Sequence, residues 1–263
     1  MSTNTTDSPP DRTLAVTTRR IGILLCDEVA VAMEAIHGQH AEMFTRMFAS
    51  SSPPVELCFF RVYADEFPPA VDACDAYVVS GSRRSVYEDV PWITRLSDFL
   101  RALHGAQRRA VGICFGHQLI GQALGGRTEK AQQGWGLGRH VAQVLESRAW
   151  MHPPATSYAL YAVHQDQVTI LPPGACRLAS NAHCENAMFD VDGLFLGVQA
   201  HPEFVRDYAR AITENKRGQV PDTVLEKALP SFAEPIDDTL MARWIVAFLT
   251  ADKQPAFAAV CEQ

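Results

Sequence analysis

Short apolar runs alternate with stretches of helical periodicity along the first half of the chain. Four runs of strand length are rich in apolar residues: 21–26, 55–63, 76–82 and 109–114. Between these runs, residues 38–49 and 91–105 space their apolar side chains along one helical stripe. Because buried parallel strands appear in sequence as continuous apolar runs, this alternation predicts an α/β protein built on a parallel sheet.

The second half of the chain has a different pattern. Short strand candidates follow one another there without long helices between them: 140–145, 158–163, 176–180, 187–191 and 194–200. Part of this region is therefore expected to be antiparallel. Helical spacing returns at residues 237–249, and neither an internal repeat nor a low-complexity linker divides the chain. We therefore predict a single domain over residues 19–263, preceded by a disordered tail over residues 1–18.

Composition and charge limit the classes of function. A chain of 263 residues with 47% hydrophobic content is long and apolar enough to bury a sizeable core. The formal net charge is −7 and no basic run exceeds a pair, which argues against nucleic acid or an anionic membrane as the main partner. No stretch approaches the ~18–20 apolar residues of a membrane span. Small polar substrates remain open.

The seven cysteines include no CxxC pair. Neither a disulfide framework nor a zinc site is therefore predicted. A reducing, cytoplasmic setting is the expectation that fits this pattern best.

One segment, VGICFGHQLIGQALGG at residues 111–126, joins the last of the apolar runs to a helical pattern that stops at a glycine pair. Its Gly-x-Cys-x-Gly form places Gly112, Cys114 and Gly116 at a strand-to-helix turn, which is typical of a nucleophile elbow. The helix N-terminus favours the thiolate, and its N–H groups, beginning with that of Phe115, are able to face an oxyanion. The alternative is a buried structural cysteine between two packing glycines.

A second segment, VQAHPEF at residues 198–204, supplies a candidate proton partner for the thiol. His201 follows an apolar strand candidate, at the sheet edge where active sites collect. Side chains alternate along an extended chain and Pro202 disfavours the helical conformation at His201, so His201 and Glu203 are expected to point the same way. A Cys–His–Glu relay follows from this placement. Alone, His-Pro-Glu is more often a turn that starts a helix.

Three segments in this order resemble those of the class I glutamine amidotransferases. They are GICFGHQ, then VHQDQV at residues 163–168, which is similar to a stretch of the GMP-synthetase-like branch, and then QAHPEF. The resemblance runs from about residue 20 to 205 and includes the stand-alone γ-glutamyl peptidases of that branch. It implies a flavodoxin-like, doubly wound α/β fold with a mostly parallel sheet, helices on both faces, and hydrolysis through a γ-glutamyl thioester. By this resemblance Cys114 is the nucleophile, His201 the general base and acid, and Glu203 the orienting carboxylate.

The same resemblance implies roles for residues around the elbow. The backbone of Gly81 would form the second half of the oxyanion hole, and Ser82 stands where many members have glycine. Gln118 and the 164–166 stretch, with His164 and Asp166, would receive the α-amino and α-carboxylate ends of the substrate. Asp166 is equally well read as a turn residue, and neither His117 nor His164 is assigned a proton-transfer role. No metal and no cofactor is implied.

Three functions remain open. The chain is expected to hydrolyse small γ-glutamyl amides or peptides by itself. Alternatively, it supplies ammonia to a separate synthetase, since residues 206–263 are too short for an ATP-using domain and no GxxxxGK[ST] loop occurs. A non-catalytic binding protein on the same scaffold is the least favoured, because all three residues of the proposed relay are present.

Overall fold

The computed structural model describes residues 18–49 and 51–251, and the structural statements below concern these residues. Of the predicted N-terminal tail, only residue 18 is among them. Residues 252–263 of the predicted domain also lie outside the described part.

A nine-stranded sheet forms the centre of the described chain, with the strand order β2-β1-β3-β4-β11-β10-β9-β6-β7. A separate two-stranded ribbon pairs β5 with β8. The strands are β1 (Arg19–Leu25), β2 (Val55–Arg61), β3 (Ala76–Val79), β4 (Arg109–Ile113), β5 (Arg127–Lys130), β6 (Gly136–Val144), β7 (Ser157–His164), β8 (Asp166–Ile170), β9 (Ala175–Ser180), β10 (Met188–Val191) and β11 (Phe195–Val198).

The sheet has a parallel and an antiparallel part. Strands β2, β1, β3, β4 and β11 run parallel, whereas β10, β9, β6 and β7 continue the sheet in antiparallel pairs. Every residue of β3 and β11 is buried, as their continuous apolar runs predict. The expected fold class is confirmed, and so is the antiparallel character of the second half.

Helices cover both faces of the sheet. They are α1 (Val31–His37), α2 (His40–Phe48), α3 (Pro91–Gly105), α4 (Phe115–Ala123), α5 (Arg206–Glu214), α6 (Asp222–Ser231) and α7 (Asp238–Thr250). Helices α2 and α7 contribute Phe44, Trp244 and Phe248 to the core on one face. Helices α3 and α4 contribute Leu96 and Leu119 to the core on the other face. Two cores on opposite faces of one sheet are what a doubly wound fold requires.

Several short elements were not predicted from the sequence pattern. Helix α1 has no buried residue, and its Val31 and Ile36 are exposed, so it carries no core-facing stripe to detect. Helix α5 is mostly polar and buries only Tyr208, Ala209 and Thr213. The ribbon strands β5 and β8 consist mostly of charged and polar residues, so neither appears in the sequence as an apolar run.

The described cysteines are mostly free thiols, namely Cys26, Cys58, Cys74, Cys114 and Cys184. Cys176 takes part in a disulfide. None of the helices in the described part is long and apolar enough to cross a membrane.

Candidate active site

The sharp turn after β4 places Cys114 between strand and helix. Cys114 has φ +53° and directly precedes the first residue of α4. A Cβ on Gly112 would lie 2.3 Å from the Gly116 backbone, and a Cβ on Gly116 would lie 2.4 Å from the Val79 carbonyl oxygen. Both glycines are therefore required by close backbone approaches, which is the steric reason for the Gly-x-Cys-x-Gly form.

His201 reaches this turn because β11 lies beside β4. Val198 pairs with Ile113, and the Cys114 N–H donates to the Val198 carbonyl over 2.9 Å. The His201 N–H donates to the Tyr161 carbonyl over 2.8 Å. His201 Nδ1 and Glu203 Oε1 are 2.7 Å apart, and both side chains are buried. The structure thus brings the predicted histidine and carboxylate into contact and places them beside Cys114.

The electrostatics of His201 are set by its two neighbours. Burial alone would lower the pKa of this imidazole, but the Glu203 carboxylate and the Cys114 sulfur outweigh burial and raise the pKa to about 10. Its imidazolium form is consequently favoured at neutral pH. A protonated imidazole beside a cysteine is the partner that a thiolate nucleophile requires.

The Phe204 ring packs against one face of the His201 ring. The two rings are stacked with centroids 3.9 Å apart and planes 6° apart, and Tyr208 packs edge-on against Phe204. Sequence reasoning missed Phe204, although it ends the QAHPEF segment. Its adjacency to Glu203 was the available signal.

Gly81 lies directly against the Cys114 and His201 pair. A Cβ on Gly81 would lie 2.9 Å from His201 Cε1 and 3.8 Å from Cys114 Cβ. Phe115 begins α4 and its ring is fully buried, packing against Trp92. Only its backbone N–H, at the helix N-terminus, is available for the predicted role. These positions are compatible with the predicted oxyanion hole.

Gln118 and Asp166 form one wall of the site. The Gln118 side-chain amide donates to the Asp166 carbonyl over 2.7 Å, and His164 Nδ1 lies 3.2 Å from the same oxygen. Burial lowers the pKa of His164 well below its ordinary value, so this imidazole is neutral. Asp166 is a buried residue that begins β8, not the turn residue of the alternative interpretation.

Two hydroxyl groups bind the Asp166 carboxylate. Ser85 donates to Oδ2 over 2.5 Å, and Tyr87 donates to Oδ1 over 3.1 Å. Both were missed by sequence reasoning. They lie in the loop and turn that follow Gly81, which have no periodic sequence signal that could have revealed them. The wall is therefore a network whose polar atoms are fixed by one another.

These residues surround a cavity of about 500 Å³. Seven of the nine predicted site residues line it: Gly81, Ser82, Cys114, Gln118, His164, Asp166 and His201. Glu203 and Phe115 are buried behind this lining. Asp27, at the carboxyl end of β1, accepts a bidentate pair of hydrogen bonds from Arg83 at the cavity rim. Asp27 is a further lining residue that its place at the strand end could have revealed.

The described residues contain no group of three or more His, Cys, Asp or Glu arranged to hold a metal ion. The chemistry available to the site is that of a thiol, an imidazole paired with a carboxylate, and backbone N–H groups.

Comparisons with known proteins relate this chain to one family. The family model "Glutamine amidotransferase class-I" matches residues 40–216. Gamma-glutamyl peptidase 3 of Arabidopsis thaliana is 29% identical over 198 residues, which cover 72% of this chain and 78% of that protein. Gamma-glutamyl peptidase 4 of the same plant is 34% identical over 155 residues, or 56% of this chain and 62% of that protein.

A solved structure has the same fold. The crystal structure of a glutamine amido transferase from Methylobacillus flagellatus superposes with a TM-score of 0.67, covering 88% of this chain and 93% of that one. The identity of 18% makes this a likeness of fold alone.

With the family model spanning most of the described chain, the protein belongs to the class I glutamine amidotransferase family. The resemblance read from the three sequence segments is confirmed. The expectation that the protein is an enzyme, a hydrolase of this family, is confirmed as well.

Proposed function

We propose that this protein hydrolyses γ-glutamyl amide bonds by covalent catalysis, with Cys114 as the nucleophile. The proposal rests on one observation. Cys114 and His201 line the same cavity, and the His201 imidazole is hydrogen-bonded to the buried Glu203 carboxylate. The names of the two Arabidopsis relatives support the γ-glutamyl specificity. The predicted cytoplasmic setting belongs to the same proposal.

In the acylation step the Cys114 thiolate attacks the amide carbon of the γ-glutamyl group. The oxyanion that forms accepts hydrogen bonds from the backbone N–H groups of Phe115 and Gly81. The His201 imidazolium then donates its proton to the leaving nitrogen as the carbon–nitrogen bond breaks. The products are a γ-glutamyl thioester on Cys114, a free amine or ammonia, and a neutral His201.

In the deacylation step neutral His201 removes a proton from water as the water attacks the thioester carbonyl. The thiolate leaves, glutamate is released, and His201 again carries the proton. Glu203 keeps Nδ1 of His201 protonated and oriented in both steps, so that Nε2 is the atom that exchanges the proton.

The acyl half of the substrate lies against the Gln118 and Asp166 wall in this proposal. The α-amino and α-carboxylate groups of the γ-glutamyl unit would pair with the polar atoms of this wall and of Ser82 and His164. The cavity volume of about 500 Å³ falls within the ~300–1,000 Å³ of pockets that enclose drug-sized ligands. The cavity therefore has room for leaving groups larger than ammonia.

The test is a panel of γ-glutamyl substrates with one acyl group and varied amines: glutamine, glutathione, γ-glutamyl dipeptides and γ-glutamyl alkylamides. We expect the purified chain to cleave at least one peptide or amine with a higher kcat/KM than glutamine, and the Cys114→Ser variant to cleave none. If every peptide is inert and glutamine turns over only when a synthetase partner is added, the ammonia-supplying role replaces this one.

A further inference from the structure

Lys216 places an ammonium group in the wall of the catalytic cavity. It follows the C-terminal end of α5, and its Nζ lies 3.9 Å from the centroid of the Trp135 ring. Both residues are partly buried and both line the cavity that contains Cys114. A lysine over an indole face gains a cation–π attraction that fixes the direction of a flexible side chain.

Two other cationic side chains of the cavity are paired with carboxylates of this chain. Arg83 is committed to Asp27 by two side-chain hydrogen bonds, and Arg84 forms an ion pair with Glu88. Lys130 is exposed. Within the described residues no carboxylate lies within ion-pair distance of Lys216.

A partly buried ammonium without a carboxylate partner carries a desolvation cost. Burial lowers the pKa of Lys216, which is the sign of a charge that the protein itself does not compensate. An anion bound from the cavity would offset this cost, because charge-assisted hydrogen bonds are the stronger kind. The net charge of the chain is −7, so general electrostatic attraction does not draw anions here. A local cation is needed instead.

The position of Lys216 relates it to the substrate wall. Trp135 directly precedes Gly136, which pairs with His164 at the start of β6. The Lys216 and Trp135 pair therefore borders the wall formed by His164 and Asp166.

We propose that Lys216, held over Trp135, binds a carboxylate group of the γ-glutamyl substrate. This inference rests on the proposed function. That carboxylate is either the α-carboxylate of the γ-glutamyl unit or the terminal carboxylate of the amino acid that leaves. The two sources share the same chemistry, and a matched pair of substrates distinguishes them.

The experiment compares γ-glutamyl-alanine with γ-glutamyl-ethylamide, which lacks the leaving-group carboxylate. Wild type, Lys216→Met and Lys216→Arg are measured together with Lys227→Met, which removes an exposed lysine of α6 outside the cavity. We expect Lys216→Met to raise KM for γ-glutamyl-alanine about 10- to 100-fold, with a smaller effect on kcat. Lys216→Arg, which keeps the charge, should restore part of the loss, and Lys227→Met should match wild type.

The second substrate identifies the source of the carboxylate. An equal rise in KM for the ethylamide assigns Lys216 to the α-carboxylate, and an unchanged KM for it assigns Lys216 to the leaving amino acid. Unchanged KM values for both substrates in folded Lys216→Met overturn the proposal, as does an equal rise in KM in the Lys227→Met control. If wild type cleaves neither substrate nor any other γ-glutamyl compound, it is the proposed function that fails.

Discussion

The His201 imidazole and the Phe204 ring lie face to face, with centroids 3.9 Å apart and planes 6° apart. Stacking restricts rotation of the imidazole about its χ2 angle, while Glu203 fixes one ring nitrogen. We predict that Phe204→Leu lowers kcat about 10-fold or more with little change in KM, because a misaligned Nε2 transfers its proton less efficiently. Steady-state kinetics with a γ-glutamyl peptide measure this effect. Phe204→Tyr keeps the ring and should retain most of the rate, so an equal loss in both variants would contradict a stacking role.

Removing the charge of Glu203 should change the pH dependence of the reaction. The carboxylate raises the pKa of His201, so Glu203→Gln lowers that pKa. The imidazolium that protonates the leaving amine is then lost at a lower pH, and the alkaline limb of kcat/KM moves to lower pH. The rate at neutral pH should fall by up to ~10⁴-fold, as when a comparable carboxylate partner is removed.

The control for this experiment is His201→Ala, which should abolish hydrolysis at every pH. A folded Glu203→Gln protein with wild-type rates and an unmoved alkaline limb would rule out the proposed relay.

Cys114 should react selectively with an electrophilic glutamine analogue such as a diazo-ketone. It lines the cavity, whereas burial raises the pKa of the Cys184 thiol to about 12 and also raises the pKa of the Cys26 thiol. Peptide mass mapping after labelling is expected to find one adduct, on Cys114, and none in Cys114→Ser. Labelling of Cys184 or Cys26 with Cys114 spared would show that the nucleophile is misassigned.

Gly112→Ala should disrupt the elbow. Its new Cβ would lie 2.3 Å from backbone atoms of Gly116, which have no flexible side chain to move. We expect the free energy of unfolding to fall by about 3 kcal/mol and activity to be lost. Gly105→Ala, at the end of α3, is the matched control because a Cβ there meets nothing within 4 Å. Denaturant unfolding should show this control unchanged or more stable by up to ~1 kcal/mol.

The two hydroxyl groups that donate hydrogen bonds to Asp166 should affect substrate binding more than the chemical step. Tyr87→Phe removes the 3.1 Å hydrogen bond to Asp166 Oδ1 and keeps the ring. We predict a rise in KM of about 3- to 10-fold at nearly constant kcat, as expected when one hydrogen bond that orients a binding group is lost. A fall in kcat without a change in KM would place Asp166 in the chemical step instead.

Much of the fold follows from residue pattern because its strands are buried on both faces. The apolar runs that became β1, β3 and β4 could be recognised for that reason. The run predicted over 194–200 is a strand only over Phe195–Val198, since its pairing with β4 stops where Cys114 turns away. The pattern could not show this, because the end of a strand depends on its neighbour.

The polar parts of the site were harder to predict. Asp166 was open to interpretation as a turn residue because nothing local shows that Ser85 and Tyr87, far away in sequence, cover its carboxylate. Lys216 follows a polar helix and has no recognisable motif, so only its position over Trp135 reveals it. Such contacts arise from the packing of distant loops, which carry no periodic signal.

What the sequence alone determined is local: the strand-to-helix turn at Cys114, which two glycines make sterically possible, and the extended His201-x-Glu203 spacing. These features involve atoms a few residues apart, so residue type is sufficient to specify them. The meeting of Cys114 with His201 was decided by tertiary structure, through the parallel pairing of β4 with β11. That pairing is stable because helices from the whole chain bury both faces of the sheet. The resulting free energy is cooperative, so no single segment specifies it.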